Sequence, residues 1–262
     1  MRVTGKSEVG CIVWHDLLTN EVAKAKRFYT ELLGWEYQIE HASEFAWNSG
    51  EADYPLILAN GEAHGGFVDP GQDIPSHWIA FVMVEDVDAV IVKAKKLGAT
   101  IDREPFDVPG VGRIAVIRDP QGAIICPYIS THGFPPPSGT FLWDELITDD
   151  VESAKKFYGE LFGWKANDVN MGQAGIYTVF KLGGGTEVAG AINRLPGVES
   201  PATWLTYLAT DDIDMTVKKA KKLGARAQME GIDMPNVGRL AILVDPTGAA
   251  FGLFKRANPK HV

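Results

Sequence analysis

The chain has 262 residues, of which 45% are hydrophobic and 23% charged, and its formal net charge at pH 7 is −9. This composition is typical of a globular protein with one large or two ordinary domains, and the acidic balance argues against a phosphate-backbone partner. The two cysteines, Cys11 and Cys126, do not make a disulfide framework. No apolar run reaches the roughly 20 residues that cross a bilayer, and residues 1–8 lack the apolar core of a signal peptide. We therefore expect a cytoplasmic protein that binds neither nucleic acid nor membrane.

The first part of the chain predicts a strand, a helix and several short strands. Residues 11–19 mix apolar and β-branched side chains and predict the strand. Thr19 or Asn20 can cap the helix, and Gly34 ends it where a left-handed residue is favoured. The buried face of this helix is predicted to hold Val22, Ala25, Tyr29 and Leu32. Short strands are then predicted at 35–39, 45–47, 56–59 and 65–68.

A second unit follows the same plan. Residues 78–84 predict a strand, and Asp86 is the expected cap of a helix that ends at Gly98. Strands at 113–117 and 123–129 follow, so the order of elements repeats within this half of the chain.

Residues 130–139 contain three successive prolines and predict an extended linker. We predict a first domain at 1–133 and a second at 138–262, because the motifs of the first half recur in the second. Trp14 to Trp143 is 129 positions, and the later Gly112-Arg113 recurs as Gly238-Arg239 after 126. A repeat of this length indicates two similar globular domains.

Four motifs carry a family resemblance. Phe28-Tyr29 precedes Leu33-Gly34-Trp35, and Phe157-Tyr158 precedes Phe162-Gly163-Trp164, while the turns Asp119-Pro120-Gln121-Gly122 and Asp245-Pro246-Thr247-Gly248 recur later. With them the chain resembles the vicinal oxygen chelate superfamily of glyoxalase I, bleomycin-resistance proteins and extradiol dioxygenases. The resemblance implies an α+β fold of two tandem glyoxalase-like domains, each of paired βαβββ modules that form a curled sheet with a concave pocket.

The resemblance also implies four ligand positions for a divalent ion in each half. The first falls on His15 and Asp144, and the others fall on residues 65–68 or 190–192, on Ile79 or Leu205, and on Cys126 or Gly252. Most of these residues are not ligands, so we expect no four-ligand metal site and no cofactor. A displaced site for Zn, Ni, Mn or Fe that uses His15, His64, His77 and Cys126 is the alternative to a core cysteine and surface histidines.

Several other residues have two interpretations. Asp16 and Glu145 alternate with His15 and Asp144, so we expect them on the other side of the first strand, where each either lies in an interface or accepts a hydrogen bond from a tryptophan or a backbone N–H. The matched Arg113 and Arg239 either hold an acidic ligand or pair with an acidic residue on a neighbouring helix. The matched Trp78 and Trp204 either line a pocket for a flat ligand or pack in the core.

These patterns favour a protein, monomeric or homodimeric, that binds a small organic molecule in its concave pockets. The alternative is a metal-dependent lyase or isomerase of the glyoxalase type, acting on a thiol adduct of an α-ketoaldehyde, or a dioxygenase or hydroxylase. The candidate ligand-binding residues are His15, His77, Trp78, Arg113, Cys126, Asp144, Trp204 and Arg239.

Overall fold

A computed structural model describes residues 9–43, 51–108, 111–131, 139–172, 175–194 and 201–257. The strand predicted at 45–47 and residues 132–138 of the predicted linker lie outside these ranges. The predicted domain limits, 1–133 and 138–262, stay predictions. None of the helices in the described ranges is long and apolar enough to cross a membrane.

The described residues form four helices and sixteen strands. The helices are α1 (Val22–Leu33), α2 (Val87–Lys96), α3 (Val151–Phe162) and α4 (Ile213–Lys222). The strands of the first half are β1 (Ile12–Leu18), β2 (Glu36–Ser43), β3 (Glu51–Ala59), β4 (Glu62–Val68), β5 (His77–Met83), β6 (Thr100–Val108), β7 (Gly112–Arg118) and β8 (Ile124–Ser130). Those of the second half are β9 (Phe141–Thr148), β10 (Lys165–Asn170), β11 (Ile176–Lys181), β12 (Glu187–Asn193), β13 (Thr203–Ala209), β14 (Arg226–Met234), β15 (Gly238–Val244) and β16 (Ala250–Arg256).

Each half of the sequence builds one curled sheet of eight strands. The first has the order β2-β3-β4-β1-β5-β8-β7-β6, and the second has the equivalent order β10-β11-β12-β9-β13-β16-β15-β14. In both sheets the first strand of the half pairs in parallel with the fourth, so β1 pairs with β4 and β9 with β12. The predicted α+β fold of tandem glyoxalase-like domains is confirmed.

The chain also divides into two compact units, and each unit combines one module from each half. One unit contains β5–β8 with α2 and β9–β12 with α3, and the other contains β1–β4 with α1 and β13–β16 with α4; the division falls within β1, β5, β9 and β13. Each unit has its own apolar core, in which helices pack on one side of the strands.

The helix ends follow the expected chemistry with one exception. Asp86 caps α2 by accepting from the Ala89 N–H, and Gly34 ends α1 in a left-handed conformation with φ 75°. At the start of α1, however, the N-cap residue is Glu21, with no side-chain capping bond. Thr19 instead accepts from the Glu21 N–H, so the predicted cap lies two residues before the N-cap residue.

Candidate functional site

Each strand has one side that packs against the helices, the helix side, and an opposite side. We call the side that lies away from the helices the open face. Leu17 shares a core cluster with Phe28 and Tyr29 of α1, so the odd-numbered side chains of β1 lie on the helix side. Asp16 therefore lies on the open face. The same reasoning applies to β9, where Leu146 is part of a core cluster with residues of α3 and Glu145 lies on the open face.

On the open face of β1, the Tyr54 hydroxyl of β3 donates to Asp16 Oδ1 at 2.7 Å. The tyrosine ring reaches Asp16 across Gly66 of β4, which pairs in register with Asp16. A Cβ at Gly66 would meet Tyr54 Cζ at 2.0 Å, so only glycine leaves room for the ring. Asp16 and Tyr54 are 6% and 9% exposed. The pair is buried in the first half.

The second half repeats this arrangement on β9, β11 and β12. Tyr177 is hydrogen-bonded to Glu145 and lies across Gly190, where a Cβ would meet the phenol oxygen at 1.9 Å. Gly190 pairs in register with Glu145, as Gly66 does with Asp16. The indole Nε1 of Trp143 donates to the Tyr177 oxygen at 2.7 Å. Trp143, Tyr177 and Glu145 are all half-buried, in contrast to the buried Asp16 and Tyr54.

The electrostatics give this chain of hydrogen bonds a direction. Burial, and then the negative charge of Glu145, raises the pKa of Tyr177 well above its usual value. Tyr177 therefore keeps its proton and donates it towards the carboxylate, while its oxygen accepts from Trp143. An ionised carboxylate is an acceptor only, with about four lone-pair sites on its two oxygens. Glu145 is thus a half-buried hydrogen-bond acceptor on the open face of β9.

His15 lies on the helix side of β1, two residues before Leu17, and so does not share the open face. Its ring stacks on Phe141 with centroids 4.2 Å apart and an interplanar angle of 4°. His64 lies 5.9 Å from the same phenylalanine ring, and both histidines are buried. Burial lowers the pKa of His64 below its usual 6.5. The assignment of His15 to a ligand position stays a prediction.

Asp144 and Cys126 lie on different sides of their strands. Asp144 is buried on the helix side, two residues before Leu146. Cys126 alternates with the core residue Ile125 and lies on the open face of β8. It pairs in register with Phe81 and is fully buried. Half-buried His77, also among the candidate residues, has its Nδ1 2.7 Å from the Pro75 carbonyl oxygen.

The matched tryptophans pack in the two cores. Trp78 donates to the Tyr29 hydroxyl at 3.1 Å, and Trp204 donates to the Tyr158 hydroxyl at 3.1 Å. Both indoles are 5% exposed. Of the two interpretations, the structure favours core packing for both.

The matched arginines form ion pairs with the neighbouring helices. Arg113 holds Asp88 of α2 through Nε at 2.7 Å and Nη2 at 2.9 Å, and its Nη1 lies 3.0 Å from Asp107. Arg239 contacts Asp214 of α4 through Nη2 at 2.8 Å and Asp233 through Nη1 at 2.9 Å, while its Nε has no hydrogen-bond partner among the described residues. These contacts raise the pKa of each guanidinium and favour the structural interpretation.

The residues at the expected metal positions do not fit the four-ligand site of the family. At the second position, residues 65–68 and 190–192 carry no ligating side chain, and the third position, Ile79 or Leu205, is aliphatic in both halves. At the fourth position of the second half, a Cβ on Gly252 would meet Tyr207 Cδ1 at 2.1 Å. Within the described ranges, no three His, Cys, Asp or Glu side chains come together as a metal-binding group.

Sequence reasoning missed Tyr54, Tyr177 and Phe141. The two tyrosines recur at an offset of 123, and the glycines beneath them, Gly66 and Gly190, at 124. This matched tyrosine–glycine pattern is the sequence signal that would have found the pairs.

The fold agrees with comparisons to known proteins. The family model of the Glyoxalase/Bleomycin resistance protein/Dioxygenase superfamily matches residues 11–126 and again 140–253. A Mycobacterium tuberculosis protein named "Putative glyoxylase CFP32" is 34% identical over 93% of this chain and 94% of its own length. The anthracycline biosynthesis protein DnrV of Streptomyces peucetius is 30% identical over 93% of this chain and 92% of its own length.

Solved structures show the same fold at low sequence identity. The Mn(II)-bound glyoxalase of Novosphingobium aromaticivorans superimposes with a TM-score of 0.61 at 14% identity, over 94% of this chain and 82% of that one. The two matches of the family model, one in each half, account for the repeat in the sequence. The chain belongs to the Glyoxalase/Bleomycin resistance protein/Dioxygenase superfamily.

Proposed function

We propose that this protein binds a flat organic molecule on the open face of β9, and that it does so without a resident metal ion. The observation that supports this most is the half-buried hydrogen-bond chain from Trp143 through Tyr177 to Glu145. Its counterpart in the first half, Asp16 and Tyr54, is buried and serves as a structural pair. The second half therefore provides the binding surface.

The chemistry of the three side chains selects the ligand. Glu145 accepts hydrogen bonds, so the ligand has to present a hydroxyl or amine donor. The indole of Trp143 and the ring of Tyr177 present aromatic surface, which suits a flat aromatic body. A relative whose name places it in anthracycline biosynthesis makes hydroxylated polycyclic aromatics the first class to test.

The absence of a resident metal is proposed from the donor set. In the second half, Asp144 is the one metal-ligating side chain at the four positions that the resemblance assigns, since residues 190–192, Leu205 and Gly252 offer none. A lone carboxylate leaves most of the coordination sphere to water, which gives weak binding of a divalent ion.

Isothermal titration with a dihydroxyanthraquinone, in the presence of a chelator, tests the proposal. We expect saturable binding at one site per chain, weakened at least about tenfold in Glu145→Gln because the charged acceptor is lost. Tyr54→Phe, which changes the buried pair of the first half, is the matched control and should leave the dissociation constant unchanged. Binding that is absent for two- and three-ring hydroxylated aromatics, or unaffected by Glu145→Gln, would contradict the proposal.

A further inference from the structure

Arg194 has an unusual environment at the end of the β9–β12 pair. It follows β12 directly, and its backbone N–H donates to the Thr148 carbonyl oxygen at 2.7 Å. Its side chain is only 7% exposed, and Nη1 contacts Asp149 at 3.2 Å. Within the described part of the chain, Nε and Nη2 are buried and have no hydrogen-bond partner. The Nε–Nη2 edge of the guanidinium therefore carries two buried N–H donors without an acceptor among the described residues.

Arg113 shows what such an edge binds in this same protein. The Nε and Nη2 atoms of Arg113 hold both oxygens of the Asp88 carboxylate, and Nη1 takes a second carboxylate, that of Asp107. In Arg194 the Nη1 position is filled by Asp149 in the same way, but the Nε–Nη2 edge is not. Two parallel N–H groups match the two oxygens of a carboxylate. Burial without such a partner is costly, so an anion that reaches this edge gains a strong contact.

We infer that Arg194 is the anchor for the carboxylate of an organic anion. This inference extends the proposed function, since strand alternation places Arg194 on the same side as Gly190 and Ile192, the open face that holds Glu145. Arg194 stands four residues beyond Gly190, the register partner of Glu145, which is about 13 Å along a strand. The ligand class is then an aromatic carboxylate with a hydroxyl or amine donor at its other end. The first half has Pro70 at the equivalent position and cannot provide this contact.

The test observes the guanidinium of Arg194 directly, by NMR of the arginine Nε–H signals of the full chain during titration with benzoate. The Arg194 signal is assigned by its loss in Arg194→Lys. We expect benzoate to shift this signal saturably and benzamide, its uncharged analogue, to leave it in place. The Nε–H of Arg113 serves as the internal control, because Asp88 already occupies that edge.

Calorimetry supplies the second measurement. Arg194→Gln should weaken benzoate binding roughly tenfold or more, whereas Arg113→Gln should not change it. An Arg194 signal that does not move at tens of millimolar benzoate, or that moves equally with benzamide, overturns the inference. The two proposals can fail separately. If benzoate shifts the Arg194 signal but Glu145→Gln leaves hydroxyanthraquinone binding unchanged, the proposed function is rejected and the inference about Arg194 stands.

Discussion

The Tyr29 hydroxyl donates to Asp245 Oδ2 at 3.0 Å, although 216 positions separate the two residues. Tyr158 makes the equivalent bond to Asp119 at 2.8 Å. In both pairs the tyrosine comes from the Phe-Tyr motif of one half and the aspartate from the Asp-Pro turn of the other. These bonds explain why each compact unit combines modules from both halves, and why the motifs recur together.

The first prediction concerns the stability that these bonds provide. Tyr29→Phe removes the donor to Asp245 and the acceptor of Trp78 Nε1, so we expect a loss of roughly 1–3 kcal/mol in the free energy of unfolding. Tyr158→Phe should cost a similar amount, because its contacts with Asp119 and Trp204 are the same. Urea denaturation followed by circular dichroism measures both. Wild-type stability in either variant would show that the bond does not stabilise the unit in which it lies.

The second prediction concerns alkaline pH. Burial, followed by the charge of the neighbouring aspartate, raises the pKa values of Tyr29 and Tyr158 well above the ordinary 10.0. Above pH 10 the unfolded chain releases protons that the folded chain retains, so the free energy of unfolding falls as the pH rises. Absorbance at the tyrosinate band should show that these two phenols ionise only on unfolding. Their titration in the folded chain near pH 10 would contradict the prediction.

A third prediction concerns mildly acidic pH. Burial lowers the pKa of His64 from 6.5, so below that pH the unfolded chain binds a proton that the folded chain does not. Stability should therefore fall as the pH decreases through 6.5 and below. Denaturant titrations at several pH values, on the wild type and on His64→Gln, measure this slope. An identical slope in the variant would assign the acid sensitivity to other groups.

The glycines beneath the tyrosines provide a fourth prediction. Gly190→Ala pushes the hydroxyl end of Tyr177 away, which should leave the half-exposed site folded but weaken ligand binding. Gly66→Ala meets the buried ring of Tyr54 and should cost roughly 1–3 kcal/mol of stability. Gly183→Ala is the matched control, since a Cβ there meets no atom within 4 Å. Thermal denaturation and calorimetry separate the two effects; equal stability of Gly66→Ala and Gly183→Ala would contradict the assigned packing.

The sequence predicted the fold well because its signals are local. Periodic apolar residues, the cap at Asp86 and the glycine end at Gly34 each depend on neighbours a few positions away. The Tyr29–Asp245 contact depends on the tertiary arrangement, and the Asp-Pro motif read on its own indicated only a turn.

The candidate site was predicted less well, because the tyrosines that complete it come from other strands. Counting back from Phe28-Tyr29 assigned the first ligand position to His15 and predicted Asp16 on the other side of the strand, because neighbouring side chains of a strand alternate. The structure has this alternation, with Asp16 on the open face, and a ligand-binding role of His15 stays a prediction. The tyrosines that cover Gly66 and Gly190 come from strands distant in sequence, so counting within the first strand cannot find them.

The central claim is that the second half binds a flat, hydroxylated molecule through Glu145 without a metal ion. The most direct measurement is the dissociation constant of the dihydroxyanthraquinone for chelator-treated protein and for protein incubated with Zn, Ni, Mn or Fe, with bound metal determined by mass spectrometry. We predict the same dissociation constant in every sample and bound metal well below one ion per chain after dialysis. Binding that appears only with a stoichiometric ion would contradict the claim and would favour a metal-dependent lyase or dioxygenase.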